Sequence, residues 1–105
     1  MIIEKVSLVA EQGRRDELRR ALSAMLEPTA VEPGCLGARL FQDANNQNML
    51  SVETRWRDES DLIKHLRSEH YRSLLVLMES SAEQPVIEFH TVAKSQGLEF
   101  VEAVR

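Results

Sequence analysis

Four side chains suited to chemistry fall within sixteen residues of one another: Trp56, His65, His70 and Tyr71. A neutral imidazole takes up a proton near neutrality, since its unperturbed pKa is about 6.5. His65 and His70 stand five residues apart. On one continuous helix that spacing is about 500° of turn, or about 140° net. The two rings would then point away from each other, so no shared metal ion is expected. His90 lies in a strand candidate with Glu88 and reads as an exposed residue. Cys35 is the single cysteine, so no disulfide forms within the chain. Pro33-Gly34-Cys35-Leu36-Gly37 offers it no activating base, and it reads as a small residue starting a strand. The four glycines are scattered, which excludes a phosphate-cradling loop, and neither Cys-x-x-Cys nor His-Glu-x-x-His occurs.

The elements that must position these residues follow from length and pattern. At 105 residues the chain is one domain, residues 1–105, with 43% apolar and 29% charged residues. Its longest apolar run, Leu74 to Met78, is far short of the roughly 20 residues that span a bilayer. Met1-Ile2-Ile3-Glu4-Lys5 lacks the basic start of a signal peptide, so a cytoplasmic protein without a membrane partner is expected. The formal charge of −4 argues against a nucleic-acid partner. Arg14, Arg15, Arg19 and Arg20 are interleaved with Asp16 and Glu17, as on a solvated helix face.

Ile2 to Ala10 alternates as a strand, with Val6, Leu8 and Ala10 on one side and Lys5 and Ser7 on the other. After Glu11-Gln12-Gly13 the period changes. Leu18, Ala21, Leu22, Met25 and Leu26 form one helical stripe, with Pro28 near its end. Leu36 to Asp43 and Met49 to Arg57 are strands joined by the turn-prone Ala44-Asn45-Asn46-Gln47-Asn48, hence a hairpin. Leu50, Val52, Thr54 and Trp56 share one face of the later strand; Ser51, Glu53 and Arg55 share the other. Asp58-Glu59-Ser60-Asp61 starts a helix carrying Leu62, Ile63 and Leu66. A second helical stretch carries Leu74, Leu75, Leu77 and Met78, with a bend near Ser68, and Gln84-Pro85 ends it. Val86 to Ala93 is a fourth strand, and Gly97 to Val104 is expected to add a fifth that reaches a partner subunit. The fold class is α+β, a ferredoxin-like split β-α-β-β-α-β: an antiparallel sheet with helices on one face. The other face needs cover, and a two-fold homodimer through the sheet supplies it.

The run from Thr54 to Tyr71 resembles the antibiotic biosynthesis monooxygenase family of dimeric α+β barrel proteins. Its members carry a tryptophan, a histidine nine residues on, and five residues later another histidine followed by an aromatic. Trp56, His65, His70 and Tyr71 occupy those places, and Glu32-Pro33-Gly34-Cys35-Leu36 resembles the family's turn into its second strand. With strand order included, the likeness covers roughly residues 2 to 93. Many members place a glutamate two residues before the tryptophan; here Thr54 stands there, and Glu53 points to the opposite face. Haem-degrading relatives use a first-strand asparagine and a histidine late in the second helical stretch. This chain has neither, so haem oxygenation is not implied.

The resemblance implies an oxygenase with no cofactor, neither metal nor flavin, acting with dioxygen on a small phenol, quinol or anthrone. His65 would be the base, with His70 the second choice. Trp56 would stack on the substrate ring, and Arg39, Arg55 or Tyr71 would hold an oxygen. Two other readings share the fold: an isomerase of a small oxygenated metabolite using the same histidines, and a ligand-binding dimer without catalysis. A hollow between sheet and helices that reaches His65 would favour an enzyme.

Overall fold

The computed structural model describes all 105 residues, Met1–Arg105. The segments run β1 (Ile2–Val9), α1 (Arg15–Ser23), α2 (Leu26–Ala30), β2 (Cys35–Gln42), β3 (Met49–Trp56), α3 (Glu59–Leu66), α4 (Glu69–Glu79), β4 (Val86–Thr91) and α5 (Leu98–Val104). Four strands form one sheet in the order β2-β3-β1-β4, antiparallel at every pairing. β1 and β2 flank β3, which is the split crossover of the ferredoxin-like fold.

Alternation along each strand decides what the helices meet. Val6 and Leu8 of β1 and Leu50 and Val52 of β3 point to the helical side and are buried. They pack with Leu18 and Leu22 of α1 and Tyr71, Leu74 and Met78 of α4. Leu22 is fully enclosed, so Leu22→Ala would cost about 2–5 kcal/mol through lost contacts and the hole left behind. On the reverse face Lys5, Arg39, Phe41 and Arg55 are exposed, and the Ser7 and Ser51 hydroxyls bond each other at 2.8 Å.

The stripe from Leu18 to Leu26 is broken into α1 and α2 at Ala24-Met25. Pro28 therefore sits in the first turn of α2 and does not end a helix. First-turn N–H groups have no intrahelical partner, so a proline costs little there. The bend near Ser68 is a true break: its side chain caps α4 by accepting the Tyr71 N–H at 3.1 Å. Gly97 to Val104 forms no fifth strand; Leu98–Val104 is helix α5. Apolar residues at 98, 100, 101 and 104 do not alternate, and Glu99 accepts the Gly97 N–H at 2.8 Å at the helix start. Leu98, Phe100, Val101 and Val104 of α5 are exposed, as are Ile87 and Phe89 of β4. The Cα radius of gyration, 15.3 Å, exceeds the roughly 13 Å usual at this length.

Candidate functional site

The site lies where α2, α3 and α4 meet the helical side of the sheet. Glu4 is buried in β1 although a carboxylate is among the costliest groups to bury unpaired. Its partners explain how it stays there. Across the ladder Glu4 pairs with Thr54, whose hydroxyl donates to Glu4 Oε1 at 2.9 Å. The Tyr71 hydroxyl, brought in by the first turn of α4, donates to Glu4 Oε2 at 2.7 Å. Trp56 Nε1 donates to Thr54 Oγ1 at 2.8 Å. An indole N–H can only donate, so the Thr54 proton must point on to Glu4.

His65 lies in the last turn of α3 and is nearly fully buried. Its Nδ1 lies 2.8 Å from Glu32 Oε2 and its Nε2 lies 3.7 Å from Glu4 Oε1. Glu32 as a carboxylate only accepts, so Nδ1 carries the hydrogen of that bond. Trp56 stacks on the imidazole with ring centroids 4.5 Å apart, and the Tyr71 ring meets it edge-on at 5.1 Å. Burial is the largest influence on the His65 pKa and pulls it down. The Glu4 carboxylate 3.7 Å away and the hydrogen-bonded carboxylate of Glu32 together outweigh burial and leave the pKa raised. The Tyr71 hydroxyl is also pushed up, first by burial and then by Glu4. Burial raises the Cys35 thiol as well, so that side chain is no ready thiolate.

Glu32 sits in the turn between α2 and β2, and the start of α3 holds that turn. The Arg57 N–H donates to the Gly34 carbonyl at 2.8 Å, and Arg57 Nη2 donates to Asp61 Oδ2 at 2.8 Å. Gly34 has φ +81°, and a Cβ there would run into the Asp61 carboxylate. Glycine is what lets the turn approach α3 closely enough for Glu32 to reach His65.

A small cavity of about 20 Å³ opens between these groups, lined by Glu4, Thr29, Thr54, His65, His70 and Tyr71 on its polar side and by Met25, Leu26, Ala38, Val52 and Leu74 on its apolar side. That is room for about one water, whereas a cavity of roughly 150 Å³ accommodates a benzene ring. Met25 and Leu26, at the α1–α2 break, are only partly buried and are the walls able to yield.

The structure brings His65, His70 and Tyr71 together at this cavity. His65 and His70 do not point apart: α3 and α4 are separate helices, and the ring centroids are 6.5 Å apart. His70 Nε2 lies 2.7 Å from Thr29 Oγ1 and 3.2 Å from the Met25 carbonyl oxygen, which ties it to α2. No group of three or more His, Cys, Asp or Glu side chains is disposed to hold a metal ion. Trp56 is wholly enclosed behind His65 and outside the cavity wall, so it meets an imidazole where a substrate ring was expected. Arg39 and Arg55 face the opposite side of the sheet around a shallow depression with Glu53, which Arg55 pairs at 3.2 Å. Strand parity puts them there. His90 is exposed, as expected. Glu4 and Glu32 belong to the site although no motif in the sequence marks them. The signal for Glu4 was its parity, since it shares the inward face of Val6 and Leu8.

Fold and site together define a small α+β protein with a buried carboxylate–imidazole centre beneath its helices. The family model for antibiotic biosynthesis monooxygenase matches residues 1–75, and the chain belongs to that family. Among solved structures, a Deinococcus radiodurans protein assigned to the antibiotic biosynthesis monooxygenases superposes with a TM-score of 0.83 at 18% identity, covering 92% of this chain and 97% of that one. Rv0793 from Mycobacterium tuberculosis gives 0.81 at 23% identity, covering 91% and 98%. PA3566 from Pseudomonas aeruginosa gives 0.77 at 25% identity, covering 89% and 94%. No curated protein matches the chain. No helix is long and apolar enough to cross a membrane.

Proposed function

We propose that the protein is a monooxygenase that uses no cofactor and oxidises a small aromatic quinol, phenol or anthrone with dioxygen in the cytoplasm. The observation that supports this best is the buried His65 held at Nδ1 by Glu32, which leaves Nε2 for the cavity. A general base needs that disposition: one nitrogen fixed, the other free to take a phenolic proton. The deprotonated ring is then electron-rich enough to reduce dioxygen itself. For an anthrone the balance closes without another reductant. The ring methylene becomes a carbonyl holding one oxygen atom, and the other leaves as water. His70 and Tyr71 complete the polar wall, and a ring enters by moving Met25 and Leu26.

The working unit is a homodimer, with the helix-free sheet face, the exposed Ile87 and Phe89 and the apolar side of α5 meeting a second copy. Such an interface would bury well over ~1,000 Å². Oxygen uptake with menadiol and with anthrone tests the activity, and His65→Ala should lower turnover roughly 10²–10⁴-fold. Full activity in His65→Ala would remove His65 from the mechanism. Glu4 so close to His65 Nε2 also suits a proton-transferring isomerase. Exchange of a substrate C–H into deuterated water without oxygen uptake would select that reading.

A further inference from the structure

We propose that Glu4 is the specificity-determining residue of the cavity: it makes the polar wall acceptor-rich, admitting uncharged ligands that bring a hydroxyl hydrogen and turning away carboxylates and analogues without that hydrogen. Of the groups on the cavity wall, the Thr54 and Tyr71 hydroxyls already donate to Glu4. The Nδ1–H of His65 is directed to Glu32, and His70 Nε2 is engaged by Thr29 and Met25. No lysine or arginine lines the cavity. His65 Nε2 faces Glu4 Oε1 at 3.7 Å and the Thr29 hydroxyl pairs with His70, so the open hydrogen-bonding capacity of the wall is concentrated on the Glu4 oxygens. An ionised carboxylate has about four lone-pair sites, and two of those on Glu4 are taken. When His65 is protonated its charge is already met by Glu4 on the wall and by Glu32 behind it, so no uncompensated cation faces the cavity. An anionic ligand would be buried beside like charge with no cation of its own, at a cost that a close-packed site cannot relieve.

The proposal rests on the same cavity as the proposed function but not on its oxygen chemistry. Phenol, anisole and benzoate share one ring and differ only in the group at stake. Titration of each into the full chain at pH 7, followed by the indole N–H resonance of the single tryptophan, measures binding at the end of the Trp56–Thr54–Glu4 chain. Phenol should bind roughly tenfold or more tighter than anisole, the worth of an acceptor left unpaired on burial, and benzoate should not saturate. Glu4→Gln places an amide donor on the wall, so the phenol preference should shrink and benzoate binding should emerge. Tyr71→Phe frees a Glu4 oxygen and should widen the phenol-to-anisole ratio, which serves if Glu4→Gln does not fold. Equal binding of all three ligands, binding of none, or an unaltered ranking in the folded variant would overturn the proposal. Selective phenol binding with no oxygen uptake from menadiol or anthrone would leave it standing and remove only the monooxygenase reading. Oxygen uptake with no ligand selectivity would do the reverse.

Discussion

The Trp56 indole lies against the His65 imidazole, with ring centroids 4.5 Å apart and planes inclined by 28°. The chain has one tryptophan, so this contact makes its emission a reporter of a single histidine. A protonated imidazole on an indole face is a cation–π pair and quenches the fluorescence. Emission should fall as pH is lowered through a midpoint above the ordinary histidine value of about 6.5, because His65 is raised. His65→Gln should abolish the step. The same shift sets the sign of a stability effect. A folded pKa above the unfolded one gives stability that is complete below about pH 6.5 and declines as pH rises through the folded value. The stability difference between the unmodified chain and His65→Gln, from urea melts, should therefore be larger at pH 6 than at pH 9.

Gly34→Ala should cost of order 1–3 kcal/mol in urea denaturation, since φ is +81° and the new Cβ would meet the Asp61 carboxylate. Gly13→Ala is the control: its φ is +83° but no atom lies within 4 Å, so only about 1 kcal/mol of backbone penalty is expected. Only the Gly34 variant should also lower the fluorescence midpoint of His65, by moving Glu32 away. Equal costs and unmoved midpoints in both would show that the turn does not position Glu32.

Trp56→Phe should alter kcat and leave KM nearly unchanged. Trp56 touches His65 and Thr54 but not the cavity, so its loss disturbs the base and not the bound ring. A steady-state series with menadiol decides this, and a rise in KM with constant kcat would put the indole back in contact with substrate.

Removing residues 94–105 should weaken self-association without unfolding the sheet, because α5 leaves Leu98, Phe100, Val101 and Val104 exposed. Light scattering across a concentration series checks it. A 12.0 kDa species for the unmodified chain at micromolar concentration would count against the dimer.

Most of the architecture was legible because one strong signal, alternating against helical periodicity, fixes element type and inward face together. β1, β3 and the β2–β3 hairpin follow from it within a residue or two. Gly97 to Val104 was misread as a strand although its apolar residues at 98, 100, 101 and 104 do not alternate, because so short a segment carries little periodic signal. Its capping by Glu99 is a local hydrogen bond and not a pattern. In the site, His65, His70 and Tyr71 were singled out by the family resemblance, while the spacing of the two histidines misled because α3 and α4 are separate helices. Arg39 and Arg55 were chosen for charge, and strand parity alone would have set them on the far face. Glu32 could not be found this way, since a turn residue meets a helix 33 positions later only through the packing of Gly34 on Asp61.

The ladder register that pairs Glu4 with Thr54 also bears on how such a centre can change over evolutionary time. Paired residues of adjacent strands share one face, so either can deliver a carboxylate to almost the same point in space. A glutamate could be lost from one strand and regained on its neighbour through two substitutions. A pattern written along β3 alone would score that exchange as loss of the centre. Comparison by sheet register, pairing position 4 with position 54, would keep it in view.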